Sequence, residues 1–238
     1  VSSRPGSARI STDALLLRRV EYRDADLVLT FLSAEHGKLS ALARGARKSS
    51  RRFGGALEPM HTLSLELSER PGAELLVLHE AKLKTPRPAI LEDLASLEAA
   101  GKALSWARRA VPFRTPETMP YAVIEALLDR LAARAGAPRA ALAEAGLALL
   151  PALGWGIDFE RCVRCGRAAA PEQAASVDPG RGGLVCRACG GAPLRLGAAA
   201  RQRMARAAAG ETGLLDDAES ALALELVERA LGAHAGID

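Results

Sequence analysis

Residues 14–55 read "ALLLRRVEYRDADLVLTFLSAEHGKLSALARGARKSSRRFGG", and the fold of the first third of the chain turns on them. "ALLLRRVEY" is rich in Leu and Val and runs into "RDAD", a polar cluster that favours a turn. "LVLTFLS" follows, and "AEHG" reads as a second turn in which Gly37 supplies a permissive backbone. "KLSALAR" alternates, with Leu39, Ala41 and Ala43 on one face and Ser40, Leu42 and Arg44 on the other. Downstream, "MHTLSLELSE" places Leu63, Leu65 and Leu67 on one side, "RPGAE" reads as a tight turn, and "LLVLHEAKLK" is the last strand. Five strands within about 75 residues predict a small antiparallel barrel. An OB-fold is a five-stranded barrel of this size that binds oligonucleotides on its strands and loops. Periodicity alone leaves an SH3-like barrel open.

Between the third and fourth strands lies a segment with one sign of charge. Residues 36–55 hold Lys38, Arg44, Arg47, Lys48, Arg51 and Arg52 and no acid, with Glu35 and Glu58 on either side. The net charge is +4, yet residues 1–90 carry 15 Lys and Arg against 10 Asp and Glu, and the remainder is slightly acidic. Such asymmetry points to an acidic partner such as nucleic acid, with a solvated basic loop as the plain alternative.

Composition sets the outer limits. The 238 residues suffice for one large domain or two to three small ones, and 49% hydrophobic with 25% charged residues is ordinary for a globular protein with a sizeable core. Aromatics are only 3%, so that core must be built from Leu, Val and Ala. No apolar run approaches the about 18 residues of a membrane span. The opening "VSSRPGSARI" has no hydrophobic stretch of the secretory kind and reads as a flexible leader over 1–11. A cytoplasmic location is the expectation.

"TPRPAI" breaks the strand pattern and marks the end of the barrel domain, 12–85. Helical spacing follows: Leu91, Leu94, Leu97, Gly101 and Leu104 step by three and four. A second helix starts near Pro116 or Pro120 and stops at Gly136, and a third runs from Pro138 to about Gly154. These make a helical domain over 86–157. Two further helices, near 197–209 and 214–232, complete it within 196–238. Their Leu and Ala stripes read as bundle core.

The four cysteines sit between these helical parts. Cys162 and Cys165 form "CVRCG", Cys186 and Cys189 form "CRACG", and twenty residues separate the pairs. Two C-x2-C knuckles at this distance predict a four-cysteine zinc site in a module over 158–195, with one structural zinc ion. Gly166 and Gly190 permit each knuckle to turn, and Arg161, Arg164, Arg167 and Arg187 offset the negative charge of four thiolates. A site with four protein ligands has no open position for a metal-bound hydroxide. The class is therefore α+β: a five-stranded antiparallel barrel of the OB or SH3-like kind, then a helical domain with an inserted zinc module.

Catalysis has little support. "EHGKLS" and "AAGKAL" lack the upstream Gly and the Ser or Thr of a phosphate-binding loop, and no G-x-S-x-G or H-E-x-x-H occurs. His36, His61, His79 and His234 are scattered. The chain is expected not to be an enzyme.

Residues 14–60 resemble the amino-terminal domain of the bacterial recombination mediator RecO family. "LGWGIDFERCVRCG" followed by "VDPGRGGLVCRACG" is similar to that family's zinc segment, including the G-x-D-F-x-x-C lead-in. The resemblance covers about residues 12 to 232. It implies an OB-fold, a helical domain and an optional zinc module. It also implies binding of single- and double-stranded DNA, annealing of complementary strands, and work with RecR to load RecA onto strands coated by single-strand-binding protein, whose acidic tail is a further partner. Arg130, Arg134 and Arg139 are candidates for a partner surface. The rival reading is an OB-like barrel with a zinc ribbon that serves as an RNA-binding adaptor of translation or transcription, and the long helical segment counts against it.

Overall fold

The computed structural model describes residues 8–53, 56–70 and 72–236, except the side chains of Ser50 and Arg51. Its first part is a closed barrel of β1 (Arg9–Tyr22), β2 (Asp26–Ser33), β3 (Gly37–Ala43), β4 (Thr62–Ser68) and β5 (Leu76–Thr85). A one-turn helix, α1 (Ser50–Phe53), lies between β3 and β4. The ring runs β1-β2-β3-β5-β4 and closes from β4 back onto β1. This is the OB-like order, and it corrects one expectation: β3 and β5 pair in parallel, Ala41 with Leu76 and Leu42 with Val77. The reason is topological. A ring of five strands cannot alternate direction all the way round, so one seam must be parallel.

The alternating residues fill the barrel. Leu39, Ala41, Leu63, Leu65, Leu67 and Phe31 are all 2% exposed or less. The unbroken "ALLL" of β1 is buried on both faces for a different reason. Ala14 and Leu16 point into the barrel, whereas Leu15 and Leu17, with Leu32 of β2, join the core of the helical part. β1 starts at Arg9, opposite Ser68, so residues 9–11 belong to the barrel rather than to a leader; residues 1–7 lie outside the described residues.

The helical part comprises α2 (Leu94–Ala110), α3 (Thr118–Ala132), α4 (Pro138–Ala152), α5 (Ala198–Ala208) and α6 (Asp217–Ala235). Asp93 caps α2 by accepting from the Ser96 N–H at 2.9 Å. Asp216 and Glu219 form a reciprocal capping box on α6. Between α4 and α5 a small sheet is inserted, β6 (Asp158–Cys162), β7 (Ala175–Asp178), β8 (Gly183–Leu184) and β9 (Leu194–Leu196), in the order β6-β8-β7-β9. Its Phe159, Val177, Leu184 and Leu196 share one core with the helices, while the barrel interior is a separate core.

Two buried cations join the halves. Arg87, 2% exposed, donates from Nη1 to the Met60 carbonyl at 3.2 Å and to Thr62 Oγ1 at 3.0 Å, and from Nε to Asp129 Oδ1 of α3 at 2.7 Å. Its own N–H donates to His61 Nδ1 at 3.2 Å. The second cation, Lys38, belongs to the site.

Candidate nucleic-acid interface and metal centre

The basic segment leaves the end of β3 and folds back on the β1–β2 hairpin. Gly45 N–H donates to Asp26 Oδ1 at 2.8 Å and Arg47 N–H to the Ala25 carbonyl at 3.0 Å, which pins the turn beside Tyr22 and Arg23. Arg44, Arg47, Lys48 and Arg52 are exposed. Arg52 Nη2 donates to the Arg44 carbonyl at 2.6 Å, and its guanidinium lies 5.0 Å from the centroid of the buried Phe53 ring. Arg47 reaches Glu21 at 3.3 Å, an acid the fold brings to a segment that has none of its own. Among the described residues, no carboxylate lies within ion-pair distance of Arg44, Lys48 or Arg52. The side chain of Arg51 lies outside the described residues. The structure therefore brings Arg44, Arg47, Lys48 and Arg52 to one end of the barrel.

Lys38 is a correction. It sits at the opposite end of β3, is 6% exposed, and donates from Nζ to the Arg108 carbonyl at 2.7 Å. Its ammonium also lies 4.2 Å from the centroid of the Phe113 ring. Burial, and then Arg108, lowers its pKa. Five residues of β3 separate Lys38 from Arg44, and the helical part covers it, so it cannot face phosphates together with the loop.

The knuckles bring all four cysteine Sγ atoms within 4.8 Å of one another, with Cys165 and Cys186 at 3.7 Å. A tetrahedral zinc with Zn–S near 2.3 Å places its sulfurs about 3.8 Å apart, so the donor set fits. Gly166 and Gly190 close the two knuckles at φ of +72° and +100°, a region that favours glycine. The Cys186 N–H points at Cys162 Sγ from 3.4 Å and holds that thiol down to about 6, whereas hydrogen bonds to Cys186 and Cys165 push Cys189 up to about 12. A bound dication would take the place of the thiol protons. Arg164 donates to the Cys189 carbonyl at 2.7 Å, and Arg161, Arg167 and Arg187 are exposed around the rim.

Sequence reasoning missed the residues that hold this module and the helices in place. Arg201, 4% exposed, donates to the carbonyls of Phe159 at 2.6 Å and Ala170 at 2.7 Å, clamping the module to α5. Glu144, 1% exposed, accepts from the N–H groups of Gly213 at 3.0 Å and Leu214 at 2.7 Å, and from Arg130 at 2.9 Å. Burial favours its neutral form, but these donors outweigh burial and hold the carboxyl below its usual range. The signal was available: Arg201 falls on the stripe of Met204 and Ala207, and Glu144 on that of Ala141 and Leu147. Arg130 is thereby committed to Glu144, and Arg134 pairs with Glu92 at 3.1 Å; Arg139 is exposed.

The family model described as Recombination protein O N terminal matches residues 8–87, and that described as Recombination protein O C terminal matches residues 91–236. The chain belongs to the RecO family. A relative from Anaeromyxobacter sp. (strain K), named DNA repair protein RecO, is 42% identical over 194 residues, covering 81% of this chain and 75% of its own length. Relatives of the same name from Myxococcus xanthus and Geobacter sulfurreducens are 37% and 36% identical, covering 76% and 78% of this chain and 73% and 75% of their own lengths. The two RecO matches meet at the 3-10 turn Pro88–Ile90, just after Arg87. Among the described residues, no helix is long and apolar enough to cross a membrane.

Proposed function

We propose that this chain is a non-catalytic recombination mediator in DNA repair. It binds single- and double-stranded DNA through the phosphates, anneals complementary strands, and with RecR helps load RecA onto strands coated by single-strand-binding protein, whose acidic tail it contacts. It acts in the cytoplasm, at the nucleoid. The observation that carries the reading is the turn of Arg44, Arg47, Lys48 and Arg52 at the end of β3 in a RecO-family barrel. Clustered guanidinium and ammonium groups release counterions when they meet phosphates, which gives affinity without sequence preference. The strands and loops of OB-type barrels are established surfaces for oligonucleotides.

The cysteines hold one structural zinc. Cys162, Cys165, Cys186 and Cys189 supply four thiolates and leave no position for a reacting water. Its role is to lock β6 to β8 and fix the module against α5. The chemistry of strand pairing needs no nucleotide, because base pairing itself is downhill once the strands are held together.

The test is annealing of complementary strands precoated with single-strand-binding protein, with and without this chain. Faster pairing in the absence of ATP is expected. No acceleration, or an absolute need for ATP hydrolysis by this chain alone, would contradict the proposal.

A further inference from the structure

Proteins that bind single strands combine a cationic track with aromatic platforms on which bases stack. The barrel offers few of its own: Phe31 and Phe53 are 0% and 2% exposed, which leaves Tyr22. The fold brings another from outside. Phe113 lies in the connection between α2 and α3 and is 57% exposed.

This ring is held in place rather than hanging from a loose loop. Residue 113 bridges Lys38 in parallel, the Lys38 N–H donates to the Pro112 carbonyl at 3.3 Å, and the Arg114 N–H donates to the Lys38 carbonyl at 3.0 Å. The connection therefore extends the sheet at the end of β3, ahead of the Ala41–Leu42 stretch that pairs with β5. Gly37 makes the approach possible. A Cβ at that position would stand 1.8 Å from the Thr115 carbonyl oxygen. The Lys38 ammonium sits over the ring and is itself fixed by the Arg108 carbonyl.

We infer that Phe113 is a stacking platform for an unpaired nucleobase, a second anchor for a single strand whose phosphates enter at the basic segment. The inference rests on the proposed DNA binding. The two anchors stand at opposite ends of β3, whose seven residues span about 20 Å at about 3.3 Å per residue, a reach of several nucleotides. Arg18, Thr30 and Ser40 share one level of the register on the outward face of β1, β2 and β3, with Arg18 exposed at its margin, and from Leu32 and Lys38 onward the helical part covers that face. Arg108, whose carbonyl holds Lys38, belongs to the last turn of α2, and among the described residues neither Arg108 nor Arg18 forms an ion pair with a carboxylate. Cations left without carboxylates beside a fixed, exposed ring suit a strand that offers phosphates and bases together.

Affinity of the full chain for a single-stranded oligonucleotide carrying 2-aminopurine, and for the matching duplex, tests this in wild type and in Phe113→Ala, Phe113→Leu and Phe113→Tyr. Phe113→Ala and Phe113→Leu are expected to weaken single-strand binding by about 5- to 100-fold and to abolish quenching of the stacked probe. The salt slope and duplex affinity are expected to hold, because the bases of a duplex are already stacked, and Phe113→Tyr is expected to bind as wild type. Wild-type single-strand affinity and quenching in Phe113→Ala would overturn the inference alone. Equal losses on single strand and duplex would also overturn it, since they mark a structural role. Absence of binding by the wild-type chain would overturn the proposed function and the inference with it.

Discussion

Arg87 is placed where no periodic pattern would look for a core residue, between two prolines in "TPRP", and it is the most informative single side chain in the fold. Its fork satisfies Met60 and Thr62 on the barrel side and Asp129 on the helical side. A lysine offers one charged point in place of the planar fork and cannot serve all three. Arg87→Lys and Arg87→Ala are both expected to destabilise the chain, the latter by about 1–3 kcal/mol, the cost of leaving buried acceptors such as the Met60 carbonyl unsatisfied, since Asp129 is exposed enough to be solvated. Denaturant unfolding measures this; wild-type stability in Arg87→Ala would show that the joint lies elsewhere. Glu144 makes a second, pH-dependent case. Its pKa is lower folded than unfolded, so its contribution is full above the ordinary carboxylate range and is lost as pH falls through the folded value. Glu144→Gln is thus expected to be clearly less stable than wild type at neutral pH, and the gap is expected to narrow in acid. A gap that stays constant from pH 7 to pH 3 would contradict this. Arg87 falls on no periodic pattern, whereas Glu144 lies on the buried stripe of α4; in both cases the partners come from distant elements, so the pattern alone does not specify the ion.

At the scale of elements the sequence was more legible. β3 and β4 alternate cleanly because one face lines the barrel, and the closing helices show in their Leu and Ala stripes. β1 alternates poorly because the helices cover its second face. Adjacency in sequence places Lys38 with the basic segment, but its burial depends on Phe113 and α2, which no local pattern reports. The cysteine module was legible from spacing alone, since two knuckles must meet to complete four ligands. Its mechanical role was not, because Phe159, Val177 and Leu196 belong to the helical core. Replacing Cys186 by Ser is therefore expected to lower metal content and loosen α5 and α6, while the separate barrel core survives. Elemental analysis with hydrogen exchange follows both effects. Zinc-free protein after purification without chelator would sink the metal assignment, and equal loss of protection in barrel and helices would contradict the division of cores.

Over the whole molecule, two cores are joined through buried cations, and the excess positive charge gathers on the barrel side. The aromatic content is too low for a base-by-base reader, so affinity must come mainly from phosphates. Such binding leaves most bases free to find their complements, which suits annealing. With Lys38 buried, up to five cations remain in the segment, and five contacts at roughly −0.7 each give a slope of about −3.5 for log affinity against log salt on single strands. The arginines of the segment carry little core, so the Arg44→Ala, Arg47→Ala, Lys48→Ala, Arg52→Ala variant is expected to fold as wild type. Titrating labelled single strands over a salt series with wild type and this variant is the most direct test: weaker binding to unrelated sequences alike and a slope less negative by up to about 3 are expected, whereas unchanged affinity and slope in the folded variant would contradict the account.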